Sequence, residues 1–171
     1  MKTRKVTVLK YDSLWKRAFE KIREEIEGAA GSLIIKTEHV GSTSVEGMSA
    51  KPCIDIDLVI KDYSDFEKLK EALSKIGYIH EGDLGIKDRE AFRYDNKPHL
   101  TNHHLYVCPE YSKELRRHVI FRDFLRSNEK ARKKYSKVKE EAAELYPYDI
   151  DKYIEHKSPC IEELYKLCGL E

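Results

Sequence analysis

Residues 39–60, HVGSTSVEGMSAKPCIDIDLVI, decide the fold. A strand-like run closes at Gly41, and twelve residues separate Ser42 from Asp55 in a second, more apolar run. Successive side chains of a β-strand point to opposite faces. The isoleucines and leucine of IDIDL are therefore predicted to face a core, with Asp55 and Asp57 together on the other side of the sheet.

Two carboxylates on one strand face repel each other, and burying them alone is costly. A divalent cation between Asp55 and Asp57 would relieve both effects, and oxygen ligands of this kind suit Mg²⁺ or Mn²⁺. Gly41 allows a phosphate to approach the backbone closely, and N–H groups or the Ser42 hydroxyl can bind its oxygens. The pattern predicts a site for a metal-bound polyphosphate. The alternative is a pair of surface aspartates on an edge strand beside an ordinary turn.

The whole chain limits these possibilities. Its 171 residues, 40% of them hydrophobic, suffice for one domain with a core, or for a core with a helical appendage. No apolar run approaches the roughly 20 residues needed to cross a bilayer, so no membrane partner is expected. The four cysteines form no CxxC pair, which indicates reduced thiols and a cytoplasmic location. A zinc site built from distant Cys and His residues is the alternative.

The net charge of +1 conceals an uneven distribution. Residues 113–139 carry 11 Lys and Arg against 3 Asp and Glu, whereas residues 140–171 carry 3 against 9. A basic segment can attract phosphates. More often it is the solvated face of a helix, and no aromatic, glycine-rich RNA-binding motif accompanies this one. A nucleic-acid partner is therefore not expected.

Periodicity predicts alternating helices and strands, followed by helices alone. The predicted elements are a short strand or arm at 6–9, a helix capped by Asp12 or Ser13 and ended by Gly28 to Ser32, strands at 33–40, 53–60, around 92–94 and at 103–108, a helix at 64–76, and helices from Ser112 onward, interrupted near Ser127 and Tyr146, with a last helix at 161–167. This order predicts an α/β (α+β) fold. A mixed sheet with flanking helices would occupy residues 1–111, and a helical region, 112–171, would pack on it as one compact unit.

A Gly-Ser after a strand, followed by an Asp-x-Asp strand, resembles the nucleotidyltransferase superfamily. The stretch 39–60 is most similar to the GrpB family, whose hallmark runs HIGSTSVPGLxAKPIIDID. The resemblance covers most of the chain. It includes VLKYDSLWKRAFEKI, NHHLYVC, FRDFLRSNEKARKKYSKVK and YIEHKSPCIEEL.

The resemblance implies a nucleotidyltransferase-like fold. It also implies metal-dependent transfer of a nucleoside monophosphate from a nucleoside triphosphate to an unknown acceptor. By position, the phosphate-binding residues would be Gly41, Ser42, Thr43, Ser44 and Lys51, and the catalytic, metal-binding residues Asp55 and Asp57.

One departure from the superfamily pattern concerns the third carboxylate, which active members carry on a later strand. The corresponding strand here, NHHLYV, has no Asp or Glu. His104 takes the place of the third ligand in our prediction, although imidazole suits Mn²⁺ or Zn²⁺ better than Mg²⁺. Glu46 and Met48 also replace the usual Pro and Leu of the loop.

Two classes of function follow. The chain is either an enzyme or a non-catalytic module that binds nucleotide and metal. The presence of both Asp55 and Asp57 favours the enzyme, and the absence of the third carboxylate favours the module. A metal-dependent phosphohydrolase that uses His104 is a third and weaker alternative.

Several basic residues leave two interpretations open. Lys51 could neutralise a phosphate or pair with Glu46. Arg117 falls within the apolar arc of its helix, as a buried ion-pair partner or as a cleft residue. Arg89, Arg93 and Lys157 either line the cleft or are exposed on the surface.

Overall fold

A computed structural model describes residues 4–170. Strands and helices alternate in its first part, and three helices complete it. The elements are α1 (Leu14–Ala30), β1 (Lys36–Val40), β2 (Ile54–Ile60), α2 (Phe66–Lys75), β3 (Ile79–Gly82), β4 (Glu90–Arg93), β5 (His103–Pro109), α3 (Lys113–Ser127), α4 (Glu129–Leu145) and α5 (Ile150–Leu167). The mixed α/β architecture is the predicted one. The division at residues 111 and 112 stays a prediction.

The five strands form one mixed sheet in the order β1-β2-β5-β4-β3. Strand β2 lies between β1, to which it is antiparallel, and β5, to which it is parallel. In this register Asp55 is opposite Val40 on one side and His104 on the other. The register therefore brings the end of β1, the aspartates and the histidine strand together.

The alternation in IDIDL separates the two faces of the sheet as predicted. Ile54, Ile56 and Leu58 are fully buried in the main core. They pack there with apolar residues of α1 and α2, including Ile22 and Leu73. Asp55, Asp57 and Val59 face the opposite side, where Val59 packs with residues of β5 and α3. One face of β2 thus packs in the main core, and the other carries both aspartates.

Polar side chains mark the beginnings of the helices. Ser112, Asn128 and Asp149 each accept a hydrogen bond from the backbone N–H three residues on, which satisfies a donor that the helix leaves free. Asn128 also separates α3 from α4, because its backbone is extended. At α1, the Asp12 carboxylate accepts from the N–H of Leu14, 2.9 Å away, while Ser13 makes no side-chain cap.

Two predicted elements need correction, and one strand was not predicted. The last helix begins at Ile150, not at residue 161, and Pro159 lies inside it. Strand β3 was not predicted, because its residues are alternately exposed and half-buried and lack an apolar pattern. The segment 6–9 forms only one bridge, between Leu9 and Ala50. No helix within residues 4–170 is long and apolar enough to cross a membrane.

Candidate functional site

A cavity of about 530 Å³ lies between the sheet and helices α3 to α5. Its sheet side contains the turn at 41–43 together with Asp55 and His104. Its helical wall contains residues of all three C-terminal helices, among them Arg117, Lys139 and Lys157. The aspartate strand, the Gly-Ser turn and the helical region therefore meet at one cavity.

The close approach of Asp55 and the backbone conformation require a glycine at position 41. Its φ of 72° and ψ of −179° lie in a region that is essentially restricted to glycine. A Cβ atom at this position would lie 2.2 Å from the Asp55 Oδ2 atom. The absence of a side chain thus lets the turn pass directly against the carboxylate.

The hydroxyl groups of the turn after Gly41 have different partners. Ser42 lines the cavity and its Oγ accepts a hydrogen bond from the Lys139 Nζ, 2.7 Å away. The Thr43 Oγ1 lies 2.9 Å from the Nε2 of His39. Ser44 is buried, and its hydroxyl donates to the Gly41 carbonyl instead of facing the cavity. Of the predicted phosphate ligands in this turn, Ser44 is the one that the cavity does not reach.

Asp55 and His104 form a contact across β2 and β5. The His104 Nδ1 lies 2.9 Å from the Asp55 Oδ1, and the Cys53 Sγ lies 3.8 Å from the same ring. The hydrogen bond with Asp55 raises the pKa of His104 to about 10. At neutral pH the imidazole is therefore protonated and compensates the Asp55 charge.

Asp57 has a histidine partner of its own. Its carboxylate is completely buried, and its Oδ2 lies 2.6 Å from the His118 Nδ1 on α3. Burial raises the pKa of Asp57. Burial alone would lower the pKa of His118, but the hydrogen bond and the charge of Asp57 outweigh it and raise this pKa. Both shifts favour the protonated forms of the pair, so the expected repulsion between the two aspartates is relieved by their histidine partners.

Arginines of α3 attach the helical wall to the sheet. The Arg122 guanidinium, 9% exposed, pairs with the equally buried Glu38 of β1 and donates to the His39 carbonyl. Arg126 donates twice to the Ser44 carbonyl, at 2.8 and 3.1 Å. These bonds hold α3 against β1 and against the turn that follows it.

Lys139 was not among the predicted site residues, although it is 3% exposed and lines the cavity. Burial, with repulsion from Lys157 and Lys51, lowers its pKa to about 7. The sequence does carry a signal, because Lys139 lies four residues after Tyr135 and three before Ala142, both buried. His118 offers no such signal, since its partner Asp57 is 61 residues away.

The structure decides between the alternatives for the remaining basic residues. Lys51 lines the cavity, while Glu46 pairs with Lys16 at 3.6 Å. Lys157 and Arg117 also line it. Arg89 and Arg93 do not: Arg89 lies 4.3 Å from the centre of the Tyr106 ring, and Arg93 pairs with Asp95.

The donor set at the aspartates fits a divalent ion only in part. Within residues 4–170, no group of three His, Cys, Asp or Glu side chains is arranged to hold a metal. Asp57 Oδ1, however, is buried without a hydrogen-bond partner in the same part of the chain. Such an atom is costly to bury and is available as a ligand. Metal binding by Asp55, Asp57 and His104 stays a prediction.

Comparison with known proteins identifies the family. The sequence profile of the GrpB protein family matches residues 5–167. The chain belongs to the GrpB family. It is 35% identical over 162 residues to UPF0157 protein BH1888 of Halalkalibacterium halodurans. The match covers 94% of this chain and 81% of that protein. Some curated relatives are longer: the chain spans 46% of UPF0157 protein YqkA of Bacillus subtilis, to which it is 30% identical over 159 residues.

Solved structures agree with this assignment. The crystal structure of the conserved protein GrpB from Enterococcus faecalis has a TM-score of 0.82 and 29% identity, and the match covers 95% of this chain and 96% of that one. The Cid1 poly(U) polymerase with MgGTP bound has a TM-score of 0.50 and 10% identity, over 76% of this chain and 42% of that one. At this identity the likeness to Cid1 is one of fold alone.

Replacing Gly41 with Ala should destabilise the fold by about 2–4 kcal/mol, because the new Cβ meets Asp55 and the backbone conformation excludes a side chain. Gly85→Ala is the matched control, since Gly85 also has a positive φ, of 85°, but no atom lies within 4 Å of its Cβ position. Urea unfolding measures both variants. Equal losses of stability would show that the contact between Gly41 and Asp55 is not tight.

Lys139→Met should raise the stability of the ligand-free protein by about 1 kcal/mol or more, because it removes a buried charge that pairs with no carboxylate of residues 4–170. The Lys139 pKa is lower in the folded than in the unfolded chain, so wild-type stability rises with pH between about 7 and 10.5. The gain should therefore be largest near pH 6 and shrink toward pH 10. Urea unfolding at both pH values, with the exposed Lys137→Met as control, tests this. A loss of stability at pH 6 would contradict it.

Proposed function

We propose that this chain is a nucleotidyltransferase that moves a nucleoside monophosphate from a nucleoside triphosphate to an acceptor in the cavity between sheet and helices. The observation that carries the proposal is the contact of Gly41 with Asp55 at the cavity. It places a carboxylate beside a turn whose backbone and Ser42 hydroxyl can bind phosphate oxygens. The family membership and the shared nucleotidyltransferase fold support it.

The proposal gives each part of the cavity a role. Gly41, Ser42 and Thr43 would bind the phosphates, with Lys51 supplying positive charge from the entry to β2. Ser44 would act only by closing the turn, because its hydroxyl is bonded to the Gly41 carbonyl. The helical wall would enclose the nucleotide and limit access of water to the reacting phosphate.

A divalent ion would be held by Asp55 and Asp57, with His104 as a nitrogen ligand after the ion has displaced the proton that the imidazole carries at neutral pH. This mixed donor set suits Mn²⁺ better than Mg²⁺. When bound, the ion polarises the α-phosphate and stabilises the attacking and leaving oxygens. An acceptor oxygen then bonds to the α-phosphorus, the bond to the β-phosphate breaks, pyrophosphate leaves with its electron pair, and the acceptor proton passes to water.

The histidine contacts favour a second candidate function. His104 pairs with Asp55 and His118 pairs with Asp57 in the absence of metal. Strand β5 carries no carboxylate on the face shared with the aspartates. A chain that binds a nucleotide without turning it over would need no third carboxylate. It could also keep the contacts of His104 with Asp55 and of His118 with Asp57. This non-catalytic binding module differs from the enzyme in one observable, the release of pyrophosphate.

The test combines binding with turnover. Calorimetry and thermal shift with the four nucleoside triphosphates and Mn²⁺ or Mg²⁺ should show binding with a preference for Mn²⁺. A ligand at 100 times its Kd stabilises by about 2.7 kcal/mol. Asp55→Asn should weaken Mn²⁺-nucleotide binding at least tenfold, whereas Asp151→Asn, at an exposed position on α5, should leave it unchanged.

Pyrophosphate release, measured with candidate acceptor mixtures, separates the two functions. Release that Asp55→Asn abolishes supports the transferase. Binding with no release supports the module. Stabilisation by no nucleotide with either ion, or equal Mn²⁺ affinity in wild type and Asp55→Asn, would overturn the metal-nucleotide site itself.

A further inference from the structure

Three lysines from three separate parts of the chain converge on the cavity. Lys51 precedes β2, Lys139 is on α4 and Lys157 is on α5, and all three line the cavity. The Nζ atoms of Lys51 and Lys157 lie 5.6 and 5.0 Å from the centre of the Tyr153 ring. The Nζ of Lys139 lies 4.4 Å from the centre of the Tyr135 ring and 2.7 Å from the Ser42 hydroxyl.

None of these lysines forms an ion pair with a carboxylate of residues 4–170. Lys97 shows the usual arrangement of a buried lysine: its exposure of 8% is close to the 3% of Lys139, and its Nζ lies 2.8 Å from a Glu25 oxygen. For Lys139 and Lys157 the strongest nearby negative charge is Asp55. That carboxylate is already engaged by His104, whose Nδ1 lies 2.9 Å from the Asp55 Oδ1.

Positive charge without compensation in a partly buried space is unfavourable, since the charges repel one another and lack full hydration. The effect is visible in the lysines themselves. Burial, with repulsion from Lys51, lowers the pKa of Lys157 to about 8. A bound anion would remove the repulsion, so the cavity is built to favour a ligand with several negative charges.

The arrangement also indicates the shape of the anion. The three amino groups come from different elements, with those of Lys51 and Lys157 beside the Tyr153 ring and that of Lys139 beside the Tyr135 ring and Ser42, so they line a space and do not converge on one atom. One end of this space is the Ser42 hydroxyl beside Gly41, and the other is the Tyr153 ring. A linear chain of phosphates carries its negative charges along such a path, whereas a single phosphate or carboxylate contacts only part of it.

We propose that Lys51, Lys139 and Lys157 form a polyphosphate subsite that binds the phosphate chain of the nucleotide without a divalent ion. The inference rests on the proposed function for the identity of the ligand, and it separates two tasks. The lysines provide the charge that holds the phosphate chain without metal, whereas a metal on the aspartates adds affinity for the nucleotide and is required for transfer. Binding in this subsite therefore survives chelation of divalent ions.

The test uses inorganic tripolyphosphate in EDTA, measured by calorimetry at pH 7 and low salt. Wild type should bind it, and Lys139→Met and Lys157→Met should each bind at least tenfold more weakly. Lys137→Met, an exposed lysine of the same helix α4, should bind like wild type. Orthophosphate should bind at least tenfold more weakly than tripolyphosphate. Because Lys139→Met is expected to be more stable than wild type, lost binding in this variant would not result from unfolding.

The outcomes separate this inference from the proposed function. No binding of tripolyphosphate in EDTA, or equal affinity in wild type, Lys139→Met and Lys157→Met, would overturn the lysine subsite even if nucleotidyl transfer were observed with Mn²⁺. Equal affinity for orthophosphate and tripolyphosphate would overturn the assignment to a phosphate chain. Binding in EDTA that requires the lysines, in a protein that releases no pyrophosphate, would support the subsite and leave the transferase proposal refuted.

Discussion

The register of β2 between β1 and β5 is the constraint on which the rest of the structure depends. It places Asp55 opposite Val40 and His104, and it places Asp57 opposite Tyr106. A slip of one residue would exchange the two faces of the strand, burying the aspartates in the main core and exposing the isoleucines. The burial of Ile54 and Ile56 against α1 and α2 stabilises the fold. Because it also prevents a slip in register, it fixes the face of the sheet on which the aspartates lie.

The electrostatics of the cavity differ from one wall to the other. On the sheet side, His104 and His118 compensate the two aspartates, and buried Arg122 likewise compensates Glu38. Lys139 and Lys157 on the helical wall have no such partners within residues 4–170. The fold thus balances its buried acids internally and leaves positive charge beside the Gly-Ser turn. An anionic ligand is the simplest account of that difference.

The sequence predicted those features that depend on nearby residues. The alternation in IDIDL predicted which side chains of β2 face the core, and Gly41 predicted the turn after β1. Both signals come from residues close together in the sequence. The prediction ended the break in the chain at Pro159 and began the last helix after it, because proline usually interrupts a helix. The helix α5 continues through Pro159, with buried residues on both sides of it, namely Tyr153, Cys160 and Leu164. His118 and Lys139 were missed because their partners, Asp57 and Ser42, lie 61 and 97 residues away. Only the packing of α3 and α4 on the sheet brings them together.

The most direct measurement is a crystal structure of the chain with a non-hydrolysable nucleoside triphosphate and Mn²⁺, with the metal located by its anomalous signal. The account predicts phosphates between the Gly41–Ser42 turn and the amino groups of Lys139 and Lys157. It also predicts a manganese ion on Asp55 and Asp57, with His104 as its nitrogen ligand. A nucleotide bound outside this cavity, or phosphates that contact neither the turn nor the lysines, would contradict the account.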